Sequence, residues 1–342
     1  MRQDKVRRWA FACVVIMVIC LMGSGNAFAG TAHRGPVVGG DIAADGSIMV
    51  TMSDHPDHTL LFYTPSTGKG LRRVATGQLG QQSAVALSPD GKLAACGTRT
   101  YGGDNNELVI VDTAKGAVIH KMRIMVPDME HMLPGVLDLQ FSPDGKKLLV
   151  TADENIGVVY DPVSGKMLNH FVTNIGGLTG ISAAWLPDNK RVFLGSKNAA
   201  AVVDTATGKV LKEFSGFHQA ELVDVSADGR FAAVADVAEI TILELATGKT
   251  VKKFDNKNMI TGLVIGAYSP LVACTDQSQK YVSLYNIKTG TRVARVEVPA
   301  PYLAFPNMVN LQIAGLSVDN QTRYLVVNAP AMPFIMPIGG KK

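Results

Sequence analysis

Two short stretches carry residue types suited to holding a metal ion. Asp54-His55-Pro56-Asp57-His58 sets two imidazoles and two carboxylates within five residues, a mix that fits a divalent cation. His120, Met122, Met125, Met129, His131 and Met132 combine soft thioethers with imidazoles, a donor set that suits Cu(I). Each has a plainer competing reading. Two histidines in a proline-containing loop do not fill a coordination shell, so the first stretch reads first as a solvated polar loop. The methionines read first as an apolar plug or an adaptable partner-binding surface. A third group brings Arg99, Tyr101, Asp104 and Asn105 together with Tyr302, Phe305, Asn307 and Met308. Aromatic, Arg and Met side chains are those that interface cores favour. His218 stands alone and reads as structural or solvated.

Other chemistry is excluded by what the sequence lacks. It has no Gly-x-Ser-x-Gly elbow, no His-Glu-x-x-His, no Cys-x-x-Cys-His and no glycine-rich phosphate loop, so the common hydrolase, metalloprotease, cytochrome and nucleotide-binding readings drop out.

The N-terminus has the layout of an export signal. Arg2, Lys5, Arg7 and Arg8 precede an apolar stretch from Trp9 to Met22, and Ala27-Phe28-Ala29 places small residues at both positions that a signal peptidase reads. Cleavage after Ala29 is expected, giving a signal peptide over 1–29 and a single domain over 30–342. The apolar stretch falls short of the roughly 20 residues that span a bilayer, so no stable membrane insertion is expected after cleavage. Val18 and Ile19 stand where a lipoprotein signal before Cys20 would need small residues. Removing 1–29 takes away four basic residues and Asp4, lowering the formal charge from +4 to +1. A nearly neutral domain without a basic run offers no footprint for nucleic acid. Only Cys96 and Cys274 remain in the mature chain, too few for a disulfide scaffold. They are expected as buried free thiols on second strands of separate repeats, farther apart than the roughly 7 Å between Cα atoms that a disulfide tolerates.

Internal repetition sets the architecture that must position these residues. Asp45-Gly46, Ser88-Pro89-Asp90-Gly91, Ser142-Pro143-Asp144-Gly145, Leu186-Pro187-Asp188-Asn189, Ser226-Ala227-Asp228-Gly229, Tyr268-Ser269-Pro270 and Val318-Asp319-Asn320 each separate two short apolar runs. In the first six repeats a second turn follows, as at Thr67-Gly68-Lys69, Lys115-Gly116, Ser164-Gly165-Lys166, Thr207-Gly208-Lys209, Thr247-Gly248-Lys249 and Thr289-Gly290. A tight hairpin needs positive φ, which Gly and Asn reach cheaply. Each repeat therefore holds two hairpins, and segments such as Lys147–Thr151, Gly157–Tyr160 and Glu239–Glu244 read as their strands.

The expected fold is an all-β, seven-bladed β-propeller of four-stranded antiparallel blades, with blades near 37–77, 82–124, 136–173, 180–215, 220–255, 260–298 and 311–338. The last repeat lacks its fourth strand, and Thr31–Val38 is the expected donor from the other end of the chain.

With these motifs in view, the repeats resemble those of bacterial WD-repeat-like and YVTN-type propellers: Ser-Pro-Asp-Gly-Lys after the first strand, Asp112, Asp161 or Asp204 ending the third, then Thr-Gly-Lys. The Gly-His and Trp-Asp dipeptides of eukaryotic WD repeats are absent, so their buried Asp-His-Ser-Trp network is not expected. In such a fold the two hairpins of every blade share one face. The long connections Ser53–Thr59, Gly97–Asn106, Met122–Gly135 and Pro299–Asn310 share the other, where function usually resides. The reading is a periplasmic, non-enzymatic protein whose loop-rich face on blades 7, 1, 2 and 3 binds a protein or peptide through Arg99, Tyr101, Asp104, His131, Tyr302, Asn307 and Met308. No cofactor is expected. The alternatives are a periplasmic enzyme or enzyme subunit, like propeller lactonases or amine-dehydrogenase-associated propellers, or a copper- or divalent-metal-handling protein using His55, His58, His120, Met122, Met125, Met129 and His131.

Overall fold

The computed structural model describes residues 33–35, 37–54, 56–65, 67–78, 80–100, 106–127, 135–152, 155–175, 182–266, 271–278 and 280–297, and the backbone of three later strands. The turns predicted from Gly and Asp-Gly close hairpins in every described blade. Blade 1 is Val37–Ile42, Met49–Ser53, Thr59–Thr64 and Lys69–Ala75 (β1 to β4); blade 2 is Gln82–Leu87, Leu93–Thr98, Glu107–Asp112 and Ala117–Arg123 (β5 to β8). Blade 3 is Val136–Phe141, Leu148–Ala152, Ile156–Tyr160 and Met167–Val172 (β9 to β12); blade 4 is Ser182–Trp185, Arg191–Gly195, Ala199–Asp204 and Val210–Ser215 (β13 to β16). Blade 5 is Leu222–Val225, Phe231–Asp236, Glu239–Glu244 and Thr250–Asp255 (β17 to β20); blade 6 is Ile260–Ile265, Leu271–Asp276, Tyr281–Asn286 and Arg292–Glu297 (β21 to β24). Gln312–Ser317, Tyr324–Asn328 and Pro333–Pro337 (β25 to β27) complete the order.

Each of the first six sheets runs in sequence order and is antiparallel throughout. The propeller therefore has six four-stranded blades, not the seven expected from the turn count. The last repeat ends as a three-stranded sheet, β25-β26-β27. Nor does the N-terminal segment supply its missing strand as expected: Val37 and Val38 lie in β1, and Val37 pairs with Ser53 of β2. First strands meet in a ring, from β1 to β5 and onward to β21, then to β25 and back to β1.

Two recurrent turns explain why these residues make hairpins. Between first and second strands, the Ser88 hydroxyl donates to Asp90 (2.8 Å) and accepts from the Leu93 N–H (2.9 Å), while Asp90 accepts from the Lys92 N–H (3.1 Å). Ser142 with Asp144 and Ser226 with Asp228 repeat the pattern. Between third and fourth strands, Asp112, Asp161 and Asp204 take up the turn's own N–H groups. The turn carboxylates and hydroxyls thus satisfy nearby N–H groups of their own loops.

The apolar core lies between blades rather than within one. Val50, Leu60 and Phe62 of blade 1 pack on Ala94, Cys96 and Val109 of blade 2, and the same layering recurs between each following pair up to blades 5 and 6. Side chains also tie neighbouring blades to one another's backbone, at two radii. On the inner ring Asp41 accepts from the N–H of Ile42 (2.7 Å) and of Leu87 in the next blade (2.8 Å). Asp138 does so from Leu139 (2.8 Å) and Ala183 (3.0 Å), and Asp224 from Val225 and Ile265 (both 2.8 Å). On the outer rim one position of the fourth strand, opposite Phe62, Ile110, Val159 and Val202 of the third, reaches the next blade's hairpin. Arg72 donates to the Ala114 carbonyl, His120 to Val163 (2.8 Å), Asn169 to Thr205 (2.7 Å), and Lys212 to Leu245 and Ala246 (3.1 and 2.9 Å). In blade 6 the corresponding residue, opposite Leu284, is Ala294.

Candidate functional site

The loop-rich face of blade 1 is organised around Asp57, at the turn from β2 to β3. Its carboxylate accepts from the Arg34 N–H (3.1 Å), the Thr59 hydroxyl (2.9 Å) and Arg73 Nη1 (2.7 and 2.8 Å). His33 Nδ1 lies 3.4 Å from Asp57 Oδ2, and His33 Nε2 lies 2.8 Å from the Thr51 hydroxyl. The Tyr63 hydroxyl bonds Thr51 in turn. Burial acts to raise the Asp57 pKa, but the Arg34 N–H, the Thr59 hydroxyl and the Arg73 charge outweigh it and hold the group at about 2. Burial lowers His33 to about 4 against the pull of Asp57, so its ring is neutral at ordinary pH.

Carboxylate, imidazole and hydroxyl stand here in the order of a nucleophilic triad. Thr51, however, is 0% exposed. A sealed hydroxyl cannot attack a substrate, so the group works as a structural lock on this face. Its polar partners are satisfied within the protein, which is the condition for burying them without large cost.

The lock recurs, in weaker form, at matching positions. His33, Gln78 and Asn256 each stand four residues before a first strand, and their partners Thr51, Cys96 and Cys274 share one second-strand position. The Cys96 thiol donates to Gln78 Oε1 (3.2 Å), and the Cys274 thiol to Asn256 Oδ1 (3.6 Å). Tyr285 donates to the same Asn256 oxygen (2.8 Å), as Tyr63 meets Thr51 in blade 1. A network like the Asp-His-Ser-Trp one, not expected from the sequence, is therefore present in blade 1 with Thr51 and Tyr63 in the last two places. Both cysteines are buried and free, as expected, and burial pushes the Cys96 thiol far above its ordinary range and Cys274 up to about 12.

Of the residues expected to bind a partner, Arg99 is described and half-buried. Its N–H donates to the Gln81 carbonyl (2.8 Å). Tyr101, Asp104, His131, Tyr302, Asn307 and Met308 lie outside the described residues, as do the metal candidates His55, Met129 and His131. The other metal candidates are not brought together. His58 turns its Nδ1 toward Asp54 (3.7 Å) with a backbone φ of 43°, while His120 engages Val163 on the rim of blade 3. Met122 packs beside the core of blades 2 and 3, and Met125 is exposed. Among the described residues no three His, Cys, Asp or Glu side chains are arranged to hold a metal.

Sequence reasoning passed over His33, Thr51, Arg73 and the inner-ring carboxylates. The signal for the lock was the shared interval of four from a polar residue to the first strands of blades 1, 2 and 6. For Asp41, Asp138 and Asp224 it was a carboxylate set inside an otherwise apolar run.

Comparison with known proteins fits this geometry. No family model matches the chain. Over 132 residues, 37% of its length, it is 31% identical to the WD repeat-containing protein WDS homolog of Arabidopsis thaliana, and the match covers 25% of that protein. The chain thus spans about a quarter of the curated relative it matches. Six four-stranded blades and this partial match make the chain a β-propeller with repeats similar to those of a WD-repeat protein.

Proposed function

We propose that the protein is an exported, non-enzymatic binding scaffold that uses its loop-rich face, centred on blades 1 and 2, to hold a protein or peptide partner. The observation that carries this reading is the contrast between the two faces. Hairpin turns on one face spend their carboxylates on their own N–H groups and several of their carbonyls on the neighbouring blade. The other face holds the β2–β3 connection of blade 1, where Asp57 ties the turn to Arg34, Thr59 and Arg73 while leaving the Arg73 side chain 31% exposed. A rigid frame with partly exposed Arg suits partner recognition, because little ordering cost remains at binding. That the triad-like group is sealed supports a binding role over a catalytic one. Similarity to a WD repeat-containing protein is in keeping with a scaffold. Export to the periplasm rests on the signal-like residues 1–29, and a secreted form whose first residue is Gly30 is its check.

Affinity capture with variants of both faces tests the face assignment. Arg99→Ala, Tyr101→Ala, His131→Ala and Tyr302→Ala are expected to weaken partner capture while the fold survives, each on the order of 2 kcal/mol where the side chain is an anchor. Lys166→Ala, Lys209→Ala and Lys249→Ala are expected to leave capture intact. Loss of capture with the lysine variants alone would move the site to the hairpin face.

A further inference from the structure

The three inner-ring aspartates share a geometry that the binding role does not use. Asp41, Asp138 and Asp224 belong to β1, β9 and β17, and each accepts one N–H from its own strand and one from the next first strand. They therefore join blades 1 and 2, 3 and 4, and 5 and 6. Each is half-buried because its strand alternates between core and channel: Leu139 and Val223, the neighbours of Asp138 and Asp224, point into the inter-blade core. No first strand, β25 included, contains a Lys, Arg or His. Strands packed against the three bring little else that is charged. Arg191 of β14 is paired with Asp188, and Asp236 of β18 is engaged by His218. Cys96 of β6 is a buried thiol and β26 contains Tyr324; β2, β5, β10, β13, β21 and β25 contribute no titratable group.

We propose that the inner wall is an acid-strengthened ring, in which Asp41, Asp138 and Asp224 each clamp one pair of blades and their shared ionisation loosens the three joints as the medium turns from mildly acidic to mildly alkaline. Three carboxylates on first strands that carry no Lys, Arg or His repel one another once charged, and removal from water penalises the charged form. Burial, opposed by the backbone N–H bonds, raises Asp41 and Asp224 to about 7 and Asp138 to about 6; Asp41 is raised further by both others, and Asp224 by Asp138. Such groups bind protons more tightly folded than unfolded. Their contribution to stability is complete below the unfolded value, near 4, and is lost as pH rises through the folded values. His33 acts the other way, since its lowered pKa adds stability as pH rises from about 4 to 6.5. Above about 7.5 its ring is essentially neutral in both states, and between about 6.5 and 7.5 its remaining opposition is smaller than the loss at the carboxylates.

Thermal unfolding of the full chain, alone and with Asp41→Asn/Asp224→Asn, tests the proposal. The wild type is expected to lose about 3 °C in Tm between pH 6.5 and pH 8. The gap by which it exceeds the double variant should narrow over that interval, because His33 is common to both. A wild-type Tm that is flat or rises, or a gap that stays constant or widens, would overturn the idea. If the double variant does not fold, carboxyl NMR titration of the native wild type decides: midpoints above about 5.5 for Asp41 and Asp224 support the ring, and midpoints below about 4.5 refute it.

Discussion

The inner wall and the outer rim of this propeller join the same pairs of blades by opposite chemistry. At the wall, carboxylates accept backbone N–H groups on first strands that contain no Lys, Arg or His. At the rim, Arg72, His120, Asn169 and Lys212 donate to backbone carbonyls at the protein surface. The same kind of bond therefore behaves differently with depth. A surface donor keeps access to water and contributes little. A carboxylate among apolar strands makes its joint depend on its protonation. The contrast also has a limit, since the rim position is Ala294 in blade 6, next to the sheet for which three strands are described.

The largest effect should come from the wall. Asp41→Ala removes the partner of two N–H groups and is expected to cost about 2 kcal/mol near pH 5. Near pH 8 the cost should shrink, because the variant also removes a buried charge; denaturant unfolding at both values checks this, and an equal cost would erase the distinction from the rim. Next comes Gly248→Ala. Gly248 has a φ of 78°, and a Cβ there would stand 2.7 Å from Lys212 Cε, so backbone strain and loss of the clasp together should cost about 1 to 2 kcal/mol, independent of pH. Lys212→Ala alone is expected to cost no more than about 1 kcal/mol, partly through lost packing on Phe214. Smallest is Ala294→Lys, expected within about 0.5 kcal/mol of wild type. A large gain there would mean that the last sheet offers the rim an acceptor after all.

How much of this was legible follows from which signals are local. Hairpins were legible because Ser-Pro-Asp-Gly and Thr-Gly-Lys close on themselves, and their chemistry is carried by residues adjacent in sequence. The buried thiols were legible because both cysteines follow a turn by similar intervals. The blade count was misread because turn signals count repeats, whereas a blade needs a fourth strand, and the last repeat shows three; its Val318-Asp319-Asn320 signal lies outside the described residues. Donation of a strand by Thr31–Val38 also failed, since Val37 and Val38 were already needed in β1. The lock escaped notice because its members come from a connection, a second strand, a turn and a third strand of the same blade. Asp57 and His58 looked alike as possible ligands, yet only the fold shows that Asp57 is consumed by Arg73, Thr59 and Arg34. Asp41, Asp138 and Asp224 sat unremarked in apolar runs because a first strand is enclosed on both faces, so alternation does not single out the channel side.

Native-state hydrogen exchange measures the depth contrast most directly. The N–H groups of Leu87, Ala183 and Ile265 donate to the three wall carboxylates, while fourth-strand amides of blades 1 to 4 report on the rim. Corrected for intrinsic exchange, opening at the three wall amides should become easier from about pH 6.5 to about pH 8, with the fourth-strand amides unchanged. Equal changes at both radii, or none at the wall, would contradict the account.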